Sequence, residues 1–249
     1  VREAIDANPP SVGDPYVKGS ELPEPTTNGF AVNNTTVFPD GCDCWENNEF
    51  IDTAVKSSWQ ETSVSGGTFA YPTAGLLGGS VVTLAGGGLA GQKAVTWWRQ
   101  QLDAMAKGFL FRVILNVSSL SSTDTTAFVG IMTADAGWTA LVTTAANRIG
   151  LLRSAGAWKA VGAAQTYGQG TAVSEFTQAW CFYDSTAGAL KVWISTTDKP
   201  PVLTSEPDVT HTCIAPNSGN AFIVGITRSS GGAMGSLFLD KAEIWIPQV

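Results

Sequence analysis

The chain has 249 residues, enough for one large domain whose core needs no staples. Its hydrophobic share of 44% excludes a disordered chain, while its charged share of 14% lies well below the roughly 25% of an ordinary soluble domain. The net charge of −7, with no cluster of Lys and Arg, argues against a nucleic-acid partner, and no apolar run approaches the roughly 20 residues of a membrane helix.

Residues 1–45 carry Pro9, Pro10, Pro15, Pro23, Pro25 and Pro39, with Asn33-Asn34-Thr35-Thr36 between the last two. Proline removes backbone donors and fixes φ, so neither a regular helix nor a central strand is expected here. The stretch reads as an extended N-terminal arm, laid on a neighbouring subunit. Its opening residues, Val1-Arg2-Glu3-Ala4-Ile5-Asp6, lack the pattern of a signal peptide.

Residues 46–249 read as one β domain. Gly66-Gly67, Gly78-Gly79, Gly86-Gly87-Gly88 and Gly231-Gly232 punctuate short apolar runs. Residues 93–107 are the only stretch that could pass for a helix, yet Val95-Thr96-Trp97-Trp98-Arg99 reads better as a strand entering a loop. Residues 108–117 place Phe109, Phe111, Val113, Leu115 and Val117 on one face and Leu110, Arg112, Ile114 and Asn116 on the other, which predicts a strand with one buried face. Further strands are predicted at 127–132, 148–153, 158–162, 178–184, 189–195, 221–228 and 237–247, with Ser185-Thr186-Ala187-Gly188 as a hairpin loop. Many short strands without alternating helices predict an all-β fold, a two-sheet antiparallel β-sandwich or jelly roll.

The chemical motifs are sparse. Gly86-Gly87-Gly88-Leu89-Ala90-Gly91 matches a dinucleotide fingerprint, but no βαβ pattern surrounds it, so a glycine-rich turn is expected and no cofactor. His211 is the sole imidazole and has no nucleophile elbow to serve, so it is expected at a loop or strand end. A zinc site could draw only on Cys42, Cys44, His211 and Cys213, and the Cys-x-Cys spacing is not that of a zinc knuckle. Mostly free, buried thiols are expected, with a Cys181–Cys213 pairing left open. Asp40, Asp43, Glu46 and Glu49 read as solvated loop acids, able at most to hold calcium. No catalytic residue and no metal ligand is assigned. Of the nine Trp, Trp138, Trp158, Trp180, Trp193 and Trp245 sit in or beside predicted strands, most of them expected in the core.

Several segments together resemble the concanavalin A-like lectin/glucanase sandwiches found in bacteriophage structural proteins. They are Phe50-Ile51-Asp52, Ser57-Ser58-Trp59, Gly66-Gly67-Thr68, Gly78-Gly79-Ser80-Val81-Val82-Thr83-Leu84, the strand Phe109–Val117, Phe128-Val129-Gly130-Ile131, and the closing Leu237-Phe238-Leu239-Asp240-Lys241-Ala242-Glu243-Ile244-Trp245. The resemblance spans roughly residues 45–249. It implies a concanavalin A-like sandwich in a non-enzymatic virion protein, a capsid decoration or minor capsid protein on the outer shell. The implied partners are the major capsid protein or other virion proteins and further copies of the chain. The alternative is a carbohydrate-binding module of a tail or fibre, and a glycan-cleaving enzyme ranks below both. The E-x-D-x-x-E string of the enzymatic relatives has no counterpart here, so no acid is carried over.

Overall fold

The computed structural model describes residues 108–117, 125–133, 148–163, 165, 169–197, 199, 201, 203, 205–214, 220–228 and 236–246 and, before residue 108, a set of strands. These early strands are β1 (Pro25–Thr26), β2 (Gly29–Val32), β3 (Thr35–Thr36), β4 (Cys44–Asn48), β5 (Trp59–Val64), β6 (Gly67–Ala74), β7 (Ser80–Gly86) and β8 (Gln92–Trp97). The remainder are β9 (Phe109–Asn116), β10 (Thr125–Thr133), β11 (Arg148–Ser154), β12 (Ala157–Val161), β13 (Thr171–Val173), β14 (Gln178–Asp184), β15 (Ala189–Ser195), β16 (Val209–Thr212), β17 (Asn220–Arg228) and β18 (Ser236–Ile246). The fold is all-β among the described residues, as the alternation predicts, and β8 confirms the strand reading of Val95–Trp97.

Two large antiparallel sheets form a sandwich. The seven-stranded sheet runs β13-β12-β11-β10-β17-β8-β5, and the eight-stranded sheet runs β16-β15-β14-β9-β18-β7-β6 with β4 also on β18. Strand β18 pairs with β9 along one edge; on the other edge Ser236–Leu239 meets β7 and Ala242–Ile246 meets β4. Glu46 therefore lies in a strand, not in the loop expected for it. β7 and β8 belong to different sheets, so the glycine-rich segment between them is no part of a parallel βαβ unit. Strands β1, β2 and β3 form a small antiparallel sheet of their own within residues 1–45. The remainder of that expected arm, with its placement on a neighbour, lies outside the described residues.

Alternation along each strand turns one set of side chains toward the other sheet. Phe109, Phe111, Val113 and Leu115 of β9, with Val117 just after it, lie in this core with Ala179, Cys181 and Tyr183 of β14. Trp59, Phe222, Val224, Val129, Ile131, Ile149, Leu151 and Trp158 face them from the seven-stranded sheet. Phe111 and Phe222 join the layers, with ring centroids 5.4 Å apart. Burying each such side chain stabilises the fold by about 1.5–3 kcal/mol.

The expectation of a single buried face fails, however. Leu110, Arg112 and Ile114, on the opposite face of β9, are as buried as the core set. The seven-stranded sheet behaves alike: Phe128, Met132, Arg148, Leu152 and Ile223 face away from the core and are buried. Leu110 and Ile114 make this second face apolar enough to be covered. The polar groups it carries must then find partners within the protein.

Two local features set the strand geometry. Gly130 on β10 pairs directly with Gly150 on β11, and a Cβ on either would strike the other strand's backbone. Between β11 and β12 the turn is Ala155-Gly156, with φ of +47° and +80°, the primed two-residue hairpin favoured by strand twist.

Candidate functional site on the outer face of the eight-stranded sheet

Three cross-strand rows build the site. In the first, Trp193 of β15 pairs with Trp180 of β14, Trp180 with Arg112 of β9, and Arg112 with Glu243 of β18. In the second, Gln178 and Lys241 flank Ile114. In the third, Phe182 and Trp245 flank Leu110. Lys241 and Glu243 reach this face because the register of β18 on β9 shifts between Leu239 and Lys241. The shift puts Leu237, Leu239, Ala242 and Ile244 in the core and frees Lys241, Glu243 and Trp245 for the outer side.

The polar groups are joined in a chain. Arg112 Nε donates to Gln178 Oε1 at 2.6 Å and Arg112 Nη1 to Glu243 Oε2 at 3.2 Å. Lys241 Nζ lies 3.0 Å from Glu243 Oε1, so the carboxylate is gripped by two cations. Trp180 Nε1 donates to the same Gln178 oxygen at 3.2 Å, and the Arg112 guanidinium sits 5.1 Å from the centre of a Trp180 ring. Trp180 and Trp245 stack with centroids 5.6 Å apart and planes 10° from parallel. Trp193 Nε1 donates to Ser205 O at 3.0 Å, so the segment after β15 crosses this part of the face.

Gln178 is the chemically incomplete member. Two donors fix its oxygen, so the amide cannot flip, and its Nε2 is buried without a partner among the described residues. An unmet buried donor costs about 1–3 kcal/mol, which an incoming acceptor oxygen would recover. The site thus offers an aromatic stack, a fixed amide and an anchored charged pair.

At the β14–β15 hairpin the predicted loop 185–188 is present. Asp184 Oδ1 accepts from Thr186 N and Ala187 N, and Asp184 Oδ2 lies 2.9 Å from Lys191 Nζ. Burial pushes this carboxyl up, but the Ala187 N–H, the Lys191 ammonium and the Thr186 N–H outweigh it and hold the group below its ordinary 3.8.

The residues weighed in the sequence are scattered. Cys181 and Cys213 are free and buried, so they do not pair; burial pushes both thiols up, Cys213 to about 11. His211 is buried near the end of β16, as the third of its four residues, which fits a strand end and not a loop. Cys42 and Trp138 lie outside the described residues. Trp158 is in the core, but Trp180, Trp193 and Trp245 are buried on the outer face instead. Among the described residues no three His, Cys, Asp or Glu come together as a metal site.

No protein-family model matches this sequence. No curated protein matches it either. Its three-dimensional likenesses establish the fold, a concanavalin A-like β-sandwich of the kind seen in lectins. Lectin II from Ulex europaeus superposes with a TM-score of 0.54 at 9% identity, over 83% of this chain and 99% of the lectin. Peanut lectin, bound to a nine-residue peptide, gives 0.52 at 11% identity, over 81% and 96%. A protein of unknown function from Shewanella oneidensis gives 0.57 at 13% identity, over 81% and 85%. At these identities the likeness establishes the fold alone.

Proposed function

We propose that the protein is a non-catalytic glycan-binding domain and that its outer-face cluster contacts the sugar. The observation that carries this reading is the Gln178 Nε2, without a partner among the described residues, beside the stacked Trp180 and Trp245. Sugars present apolar C–H faces to aromatic rings and hydroxyl oxygens to fixed donors, and both are supplied here. The lectin-like fold is consistent with this. The cluster is buried in the free chain, so binding requires the face to open. Screening the purified chain on a glycan array tests the idea: wild type should bind a defined glycan set, without cleaving it, and Gln178→Leu should lose that binding while retaining the β-sheet circular dichroism spectrum. Absence of binding to any glycan would contradict it.

A second reading is favoured by the low-charge composition and by Ile214, 64% exposed just beyond edge strand β16. In it the domain sits on the outer capsid or tail of a virus particle and contacts virion proteins or further copies of itself. Mass spectrometry of purified particles tests this location, and absence of the chain from the particles would overturn it.

A further inference from the structure

Strands β13 and β16 are the terminal strands of the two large sheets and lie against one another, so together they close one side of the sandwich. On β16, Val209 and His211 face the interior, as does Cys213 just after it, while Thr210 and Thr212 are exposed. His211 is the one imidazole of the chain, and both of its nitrogens are bonded across this seam. Nδ1 lies 2.9 Å from Thr171 Oγ1 on β13, and Nε2 lies 2.7 Å from Gln165 Oε1. That Gln165 oxygen also accepts the Gly162 N–H at 2.8 Å, which identifies it as an acceptor. Nε2 therefore carries the ring proton, and Nδ1 accepts the Thr171 hydroxyl. The neutral ring thus satisfies both of its own hydrogen bonds across the seam.

We propose that the His211–Thr171–Gln165 junction is a clasp that acid releases, opening this side of the sandwich and baring the edges of β13 and β16. A second ring proton would sit on Nδ1 and force the Thr171 hydroxyl to reverse. It would also place a charge in the interior. The charged groups on the neighbouring elements do not offset it. Lys191 of β15 is bound to Asp184, Asp208 accepts the Ile194 N–H at 2.8 Å, and Glu175 pairs with Arg153. Lys159 alternates with the core residues Trp158 and Ala160 of β12, and the Cys213 thiol is neutral. Burial lowers the His211 pKa from its ordinary 6.5. The folded ring thus binds its proton less readily than the released ring. The clasp is at full strength above pH 6.5 and weakens as pH falls from there toward the folded value. In that window the opening equilibrium should rise about tenfold per pH unit.

The lone imidazole makes the test direct. Its proton NMR titration should give a midpoint below 6.5. Amide hydrogen exchange, divided by the intrinsic chemical rate, should accelerate in β13 and β16 between pH 7.5 and pH 5.5 but not in β14. His211→Gln should abolish the acceleration. Gln165→Glu, which gives the imidazolium a carboxylate partner, should raise the midpoint and suppress the opening. A midpoint at or above 6.5, or equal acceleration in the wild type and His211→Gln, would overturn the proposal.

Discussion

Arg112 and Glu243 face each other across neighbouring strands β9 and β18, with Nη1 and Oε2 3.2 Å apart and both side chains buried. Removing one partner of such a pair strands the other charge in a medium that solvates it poorly. Arg112→Met is expected to destabilise the fold by about 3–5 kcal/mol. Glu243→Gln should cost less, because an amide can still bond to Arg112. Urea unfolding with an unchanged slope measures both, and a loss under about 1 kcal/mol for Arg112→Met would show the pair to be solvated.

The hairpin turn between β11 and β12 offers a gain. Ala155 adopts a left-handed φ of +47°, which costs a residue with a Cβ about 1–2 kcal/mol. Ala155→Asn is expected to raise stability by about 0.5–1 kcal/mol, since Asn tolerates this region and favours the primed turn. Thermal unfolding checks it, and a lowered Tm would contradict the turn geometry.

Gly130→Ala is expected to do the opposite. The new methyl would meet Ile149 O on the facing strand, so β10 and β11 must separate. A loss of about 1–3 kcal/mol is expected. An unchanged denaturation midpoint would mean that the two strands do not approach so closely.

Asp184 sets an acid limb. Its folded pKa lies below the ordinary 3.8, so its contribution is complete above that value and disappears as pH falls through the lower, folded one. Asp184→Asn should therefore narrow its stability gap to the wild type as pH drops from 5 toward 2. A gap that stays constant with pH would place the effect in packing instead of charge.

Much of the sandwich was legible in the sequence. The runs at 178–184 and 189–195 match β14 and β15 end to end, because each is a short apolar run rich in aromatic or β-branched residues and a four-residue loop with Gly188 divides them. The edge strands β13 and β16 were missed: three or four residues hold too little alternation to register. The Ala155-Gly156 turn carries no Asn-Gly or Asp-Gly signal, so its hairpin was read only as two separate strands. The candidate site was not legible. Arg112 entered the sequence reading only as one residue of the second face of 108–117, and its pairing with Glu243 and Gln178 depends on strand order and on the register shift in β18. Neither of these is a local property. The second buried face of each sheet was likewise hidden, since Leu110 and Ile114 alone do not say what covers them.

The most direct measurement follows the Gln178 side-chain amide by nitrogen-15 NMR while a glycan selected on the array is added. The Nε2 protons should shift with the indole resonances of Trp180 and Trp245, at the same saturation midpoint. Glycan binding that leaves these three residues unmoved, with shifts confined to another surface, would contradict the assignment of this face as the sugar site.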